Sequence, residues 1–219
     1  MALLPQTLRS AVPDSVRDNV RLRAAAVGLG VIPPRTLHSQ GEHDLLVGLA
    51  ADARSVVEIG VYEGASAAAV CGVLQPGPQL HLIDPFGLQP TALRAGWAAT
   101  EWASRSVVRR ASRGRDLDVQ WHVAMSQDIG RSWTTPLDLV FIDGDHAEEP
   151  TREDWALFSP HVAVGGHVLF HDARDGTEDG LGLPGPTTVV NQLFRGPNAV
   201  PDWSIAGEVD RTVAVRRDA

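Results

Sequence analysis

The sequence predicts an α/β fold. Its core is a mainly parallel seven-stranded sheet with helices on both faces, closed by a C-terminal antiparallel hairpin. Three observations predict it. Short apolar runs alternate with stretches of helical composition along most of the chain, the pattern of strand–helix–strand units. The first run ends in Glu58 and a loop with glycines four apart, followed at once by an Ala-rich segment. Polar residues recur at the far ends of the later runs, where parallel α/β sheets collect their ligands.

The elements follow in order. Residues 1–50 form an Arg/Ala-rich helical segment, broken at Pro33-Pro34, expected to cap the core or pair subunits. Within it, Leu45, Leu46, Leu49 and Ala50 sit at helical spacing over 40–51. Residues 51–219 form the core. Strands are expected at Ser55–Ile59, Gln79–Ile83, Leu117–Val123, Leu137–Ile142 and His167–Phe170, all short apolar runs. Helices are expected at Ala65–Leu74, Thr91–Arg113, Glu149–Phe158 and Thr187–Phe194. Pro76-Gly77-Pro78 punctuates the first helix and second strand. The Gly/Pro/Asp-rich stretch within 175–186 is expected to be a substrate loop, its acids Asp175, Glu178 and Asp179 solvated. Trp203–Val209 and Thr212–Arg216 close the chain as a hairpin.

Composition narrows the function. A chain of 219 residues with 43% hydrophobic content suits a single domain with a substantial core. The net charge of −8 argues against nucleic acid, whose phosphates need a basic face. The basic cluster Arg105 to Arg115 reads as a solvated helix face. No apolar run approaches the roughly 20 residues that span a bilayer, so no membrane role is expected. One cysteine, Cys71, excludes an intrachain disulfide and reads as helix packing. With no signal-peptide pattern at Met1–Ser10, a cytoplasmic location is expected. All 19 basic residues are Arg, so no lysine can serve as a base.

The strand ends carry the chemistry. Glu58, Gly60, Tyr62, Gly64 and Ser66 surround a loop that opens onto a helix N-terminus, where bare N–H groups and the dipole receive a ligand. The G-x-x-x-G spacing is not the dinucleotide fingerprint G-x-G-x-x-G. Asp84 ends the second strand, where an acid can accept two ribose hydroxyls or merely start a turn before Pro85. Ser126 and Gln127 follow the third strand, Asp143 and His146 the fourth, and His171 with Asp172 the fifth. Of the six tryptophans, one or two are expected in the site and the rest in packing. His161 and His167 read as structural, while His38, His43 and His122 show no partner pattern.

These residues together resemble the catechol O-methyltransferase-like branch of the class I S-adenosylmethionine (SAM) methyltransferases, a Rossmann-like fold. The likeness is closer to bacterial metal-dependent O-methyltransferases of sugar and antibiotic tailoring, and it covers roughly residues 40–175 well. The resemblance implies that Glu58, Gly60, Tyr62, Gly64 and Ser66 hold the methionine part of SAM. It implies Asp84 for the ribose, Ser126 and Gln127 for the adenine, and Asp143 at the cofactor edge as a metal ligand. His171 and Asp172 fall where the family keeps its other metal ligands. His146 falls where relatives carry a lysine base, and with Asp143 it forms the expected catalytic pair. A histidine is a natural base near neutral pH.

His171 departs from the family's oxygen ligands. Magnesium prefers oxygen, whereas imidazole suits manganese, iron or zinc. Three arrangements stay open: magnesium on Asp143 and Asp172, a softer metal that includes His171, or no metal. The expected reaction is methyl transfer from SAM to a hydroxyl of a small molecule, a sugar or polyketide-type natural product, with magnesium or manganese assisting. Metal-free transfer, and SAM binding without transfer, are the alternatives. A homodimer is a family-level expectation.

Overall fold

The computed structural model describes residues 13, 18–88, 96–174 and 182–219. Its centre is a seven-stranded sheet of order β3-β2-β1-β4-β5-β7-β6. The strands are β1 (Ser55–Ile59), β2 (Gln79–Ile83), β3 (Asp118–His122), β4 (Leu137–Ile142), β5 (Val162–Phe170), β6 (Trp203–Val209) and β7 (Thr212–Arg217). The first five pair in parallel; β7 pairs antiparallel with both β5 and β6. The helices are α1 (Val20–Gly28), α2 (Gln40–Ala50), α3 (Ala65–Val73), α4 (Ala98–Ala111), α5 (Ser126–Gly130), α6 (Glu148–Phe158) and α7 (Pro184–Val190).

Side-chain alternation along the strands splits the core into two layers. Val56, Leu80, Leu82, Leu139, Phe141 and Leu169 face one side and pack with α2, α3 and α4 through Leu46, Ala50, Ala67, Val70, Cys71 and Val108. Val57, Ile59, Ile83, Val140, Ile142, Val168 and Phe170 face the other and meet Trp155 and Phe158 of α6 and Val189 and Val190 of α7. Each fully buried Leu or Phe contributes about 1.5–3 kcal/mol. Strands this apolar on both faces must be covered twice, which fixes helices on both sides.

The N-terminal segment is fastened to the core by charge as well as packing. Ala24 and Val27 of α1 pack on Ala103 and Val107 of α4. Arg23 forks onto Glu63 in the β1–α3 loop, with Nε to Oε1 at 2.6 Å and Nη2 to Oε2 at 2.8 Å. Both residues are buried. Glu63 Oε2 also accepts the Arg35 backbone N–H at 2.6 Å. The basic cluster is a solvated face at Arg109 and Arg113 and structural at two other positions. Arg110 donates to the last carbonyls of α1, Val27 and Gly28, and Arg115 to Leu74 at the end of α3. A cation is favourable at a helix C-terminus, where the carbonyls lack partners.

Most boundaries agree with expectation within one residue, and the larger differences have local causes. β5 begins at Val162, not His167, because Gly165 and Gly166 form an irregularity inside the strand and do not end it. Gly165 has φ +85°, and a Cβ on Gly166 would meet the Asp138 carbonyl at 2.8 Å. The helix expected from Thr187 begins at Pro184, since proline is tolerated in a helix's first turn. It therefore takes up the end of the expected substrate loop and runs into a π-turn at Asn191–Arg195. The loop acids Asp175, Glu178 and Asp179 lie outside the described residues, as do the first residues of the segment expected at 91–113. Cys71 is buried, as expected. Among the described residues no helix is long and apolar enough to cross a membrane.

Removing one partner of the Arg23–Glu63 fork strands a buried charge. Arg23→Ala is therefore expected to cost about 3–5 kcal/mol in denaturant unfolding. The double variant Arg23→Met/Glu63→Met should recover most of that loss. A single-variant cost below about 1 kcal/mol would show that the fork does not fasten the segment.

Candidate active site

Strand register builds the site. Ile83 pairs with His122, Ile59 with both Ile83 and Ile142, and Ile142 with Phe170. The hydrogen-bond ladder runs one residue further. Asp84 N donates to His122 O at 3.2 Å, Gly60 N to Ile83 O at 2.9 Å, Asp143 N to Ile59 O at 2.9 Å and His171 N to Ile142 O at 3.1 Å. Asp84, Gly60, Asp143 and His171 therefore form one row across four strands. The connections after β1 and β4 run to opposite faces of the sheet, through α3 and α6, and such a switch point opens a crevice. The crevice is a cleft of about 530 Å³, within the usual size of small-molecule sites.

The glycine loop forms one wall. Gly60 has φ +88°, and a Cβ there would lie 2.0 Å from the Asp143 carbonyl oxygen. Only glycine lets β1 and β4 approach this closely. Gly64 (φ +80°) turns the chain into α3. Asp84 lines the cleft, but its carboxylate already accepts backbone N–H groups of Val61 and Tyr62 at 2.8 Å and Phe86 at 2.6 Å. Its first visible task is to hold the loop. Burial raises its pKa despite these bonds.

Glu58 does not line the cleft; it lies beneath the loop. It accepts the Ser66 hydroxyl at 2.5 Å and leaves Oε2 without a hydrogen bond. Burial pushes its carboxyl up to about 8, and the charges of Asp143 and Asp84 add to the rise. Gly60, Tyr62, Ser66, Ser126, Gln127 and Asp143 all line the cleft, and Gly64 stands behind the wall. Ser126 also donates to buried Asp154 at 2.5 Å, a carboxyl that burial pushes up to about 6. Of the tryptophans, Trp97 lines the cleft, tilted against Tyr62 with ring centroids 5.5 Å apart, while Trp133 and Trp155 pack in the core.

His38, Asp143 and His146 line the bottom of the cleft, and buried His171 and Asp172, which do not line it, join them from beneath to form a floor of imidazoles and carboxylates. His171 Nδ1 lies 2.9 Å from Asp143 Oδ1 and 3.4 Å from Asp172 Oδ2. His146 Nε2 lies 3.2 Å from Asp172 Oδ2 and 3.6 Å from Asp143 Oδ1. His38 Nε2 reaches Asp143 Oδ2 at 3.1 Å. Asp172 adopts φ +52°, a left-handed turn that aspartate tolerates better than most residues. Burial raises the carboxyl of Asp143, but contacts with the three histidines outweigh it and hold it well below the usual range. The carboxylates in turn push His146 up to about 9. For His171, burial works downward, and Asp143, Asp172 and Glu42 overcome it and push the imidazole up to about 11.

Two members of this floor carry no periodic sequence signal, His38 and Glu42. His38 lies in the connection between α1 and α2. Glu42 shows the S-x-x-E pattern of a capping box with Ser39, which marks a helix start and nothing more. In the fold it is buried and faces His171 Nε2 at 3.7 Å.

The profile of a methyltransferase domain family matches residues 57–173, just over half of the chain. The chain belongs to that methyltransferase family. Its fold is that of the class I, SAM-dependent methyltransferases. An O-methyltransferase from Bacillus cereus, solved with S-adenosylhomocysteine (SAH), superposes with a TM-score of 0.57 at 21% identity, covering 94% of this chain and 92% of its own. TomG from Streptomyces achromogenes, an O-methyltransferase of tomaymycin synthesis solved with SAM, gives 0.57 at 17% identity over 92% and 91%. A putative O-methyltransferase from Klebsiella pneumoniae gives 0.58 at 17% over 97% and 94%. Among curated relatives, an uncharacterized protein of Acanthamoeba polyphaga mimivirus is 28% identical over 71 residues. The chain spans about a third of that relative's length.

Glu58 generates a pH test. A carboxyl raised in the folded state contributes stability below its unfolded pKa of about 4.5 and loses it as pH rises through about 8. The stability difference between wild type and Glu58→Gln should therefore move in favour of the variant from pH 5 to pH 9, followed by urea unfolding. Parallel stability curves over that range would show that Glu58 stays ionised.

Proposed function

We propose that this methyltransferase transfers a methyl group from SAM to a hydroxyl of a small molecule, assisted by a divalent metal. The observation that carries the reading is the row of strand ends, which puts a glycine-walled cleft directly against the His/Asp floor. Cofactor and nucleophile would meet where wall and floor meet, at Asp143. Gly60, Tyr62, Ser66, Ser126 and Gln127 are the proposed cofactor contacts, with Asp84 holding the loop and facing the ribose. Glu58 and Gly64 support that wall from behind.

A metal fits the floor on two grounds. Four of its buried polar atoms, His146 Nε2, His171 Nδ1 and Nε2 and Asp172 Oδ1, make no well-formed hydrogen bond despite charged neighbours. Two trios, His38/Asp143/His171 and His146/His171/Asp172, place ligand atoms within 4.8 Å of one another. Asp143, His171 and Asp172 are the proposed core of the ligand set. The bound ion would supply Lewis acidity toward a substrate oxygen.

The remaining work belongs to the chain. Methyl transfer is a displacement at a sulfonium carbon, so oxygen, methyl and sulfur must align. The cleft walls fix that line by shape. His146 is the proposed proton acceptor; Asp143 and Asp172, which favour its protonated form, would be engaged by the bound ion, and the imidazole would then be free to act as a neutral base. It lines the cleft and, with its side chain 36% exposed, is the most accessible of the three floor histidines.

The mouth favours an acceptor with a ring or apolar body and neighbouring oxygens. Leu37, Tyr62, Trp97 and Met125 line it. A sugar or polyketide-type natural product meets both demands.

The test is methyl transfer from labelled SAM to a panel of catechols, sugar diols and phenolic polyketides. Turnover is expected with acceptors that carry vicinal oxygens. In His146→Gln, kcat is expected to fall about 10²–10⁴-fold while SAH affinity stays within about two-fold. Wild-type turnover in this variant would remove His146 as the base. Wild-type turnover in Asp143→Ala with metal present would remove the metal role.

A further inference from the structure

One histidine that the strand-end pattern does not contain also enters the floor. His38 comes from the connection before α2, outside the matched span 57–173. Its side chain is 9% exposed. Its ring packs edge-on against His171, with centroids 4.5 Å apart, and against Phe141 at 5.4 Å. Its Nε2 faces Asp143 Oδ2, while His171 Nδ1 faces Asp143 Oδ1. Two imidazoles thus approach one carboxylate from its two oxygens.

The opposite side of His171 is also arranged. With Nδ1 turned to the floor, Nε2 faces Glu42 Oε2 at 3.7 Å, an ion-pair distance. Metal-bound histidines usually turn their second nitrogen to a carboxylate or carbonyl, which fixes the ring and its tautomer. Glu42 is itself held rigidly. Its oxygens accept N–H groups of Ser39 at 2.8 Å and Arg211 at 2.9 Å and the Thr212 hydroxyl at 3.1 Å. Arg211 also reaches Asp172 Oδ1 at 2.9 Å, so the second carboxylate is braced from the same strand connection.

We propose that His38, Asp143 and His171 form a transition-metal site, with two imidazoles and one carboxylate as ligands and Glu42 as the positioning residue behind His171. The class is zinc, iron(II), cobalt or manganese, not magnesium. Imidazole donors suit those ions, whereas magnesium takes oxygen and keeps its waters. Asp172 completes or braces the set, and the more exposed His146 is left free to take a proton. Through His38 the metal also pins the connection before α2 onto the cleft, beside Arg35 and Leu37 of the same wall. This inference rests on the reading of the floor as a metal site for methyl transfer.

The test uses the chelator-stripped full-length chain, titrated with cobalt(II), zinc(II) and magnesium(II) by calorimetry and visible spectroscopy, with SAH titrated in parallel. Cobalt is expected to give an intense ligand-field band that zinc abolishes and equimolar magnesium does not. His38→Ala is expected to weaken cobalt and zinc about ten-fold or more and to change the band, with SAH affinity within about two-fold. Glu42→Gln should weaken them by a similar 10–100-fold. A His38→Ala protein with wild-type metal affinity and band would overturn the proposal, as would magnesium that displaces zinc at equal concentration. No metal binding at all would overturn it too. SAH binding would then show whether the methyltransferase reading survives alone or falls with it. Should His38→Ala fail to fold, pulsed electron paramagnetic resonance of manganese(II) in the wild type decides. Two coupled imidazole nitrogens are expected, and none would overturn the assignment.

Discussion

One constraint organises this molecule: the ends of four parallel strands stop on the same line. Register alone places Asp84, Gly60, Asp143 and His171 in a row. The row exists because β1 and β4 can close on each other only where Gly60 has no side chain, with the Asp143 carbonyl in the space a Cβ would take. Shift any of these strands by one residue and its side chain turns to the opposite face. The apolar layers would then be exposed together with the site. Core and chemistry are thus specified by one geometric fact.

The row is costly in electrostatic terms, and the fold offsets that cost locally. Burial disfavours charge on both Asp143 and His171, and their neighbours outweigh it: three histidines favour the Asp143 carboxylate, and two aspartates with Glu42 favour positive charge at His171. Glu58 meets the same crowding with a raised carboxyl pKa, pushed up chiefly by its burial and further by the charges of Asp143 and Asp84. The same logic joins the N-terminal segment to the core. Arg23 meets Glu63 in the glycine loop, and His38 meets Asp143. Each contact binds a residue ahead of β1 to a loop at the strand ends. The segment is therefore part of the cleft wall and carries part of its polarity.

Much of this was legible in the residue pattern. Runs of five and six residues dominated by Val, Ile and Leu located β1, β2 and β4 to the residue, although Glu58, His81 and Asp138 interrupt them. The polar residues just past those runs were legible with them. β5 was read short because Gly165-Gly166 has the composition of a turn and the geometry of a strand irregularity. His38 and Glu42 were not legible as site residues. Nothing in their spacing relates them to strand ends far along the chain, and only the packing of α1 and α2 brings them there. The basic cluster was legible only in its solvated part, Arg109 and Arg113; the helix carbonyls that Arg110 and Arg115 meet lie out of sight in a sequence.

The central claim is that the glycine-walled cleft is a SAM site set against the His/Asp floor. Calorimetric titration of SAH into wild type and Gly60→Ala tests it most directly. SAH needs no acceptor, and Gly60→Ala intrudes on the Asp143 carbonyl without removing a polar group. The account predicts one-site binding to the wild type that is lost or weakened at least about ten-fold in the variant, with the variant still folded by circular dichroism. Absence of binding to the wild type, or equal binding by the folded variant, would contradict it.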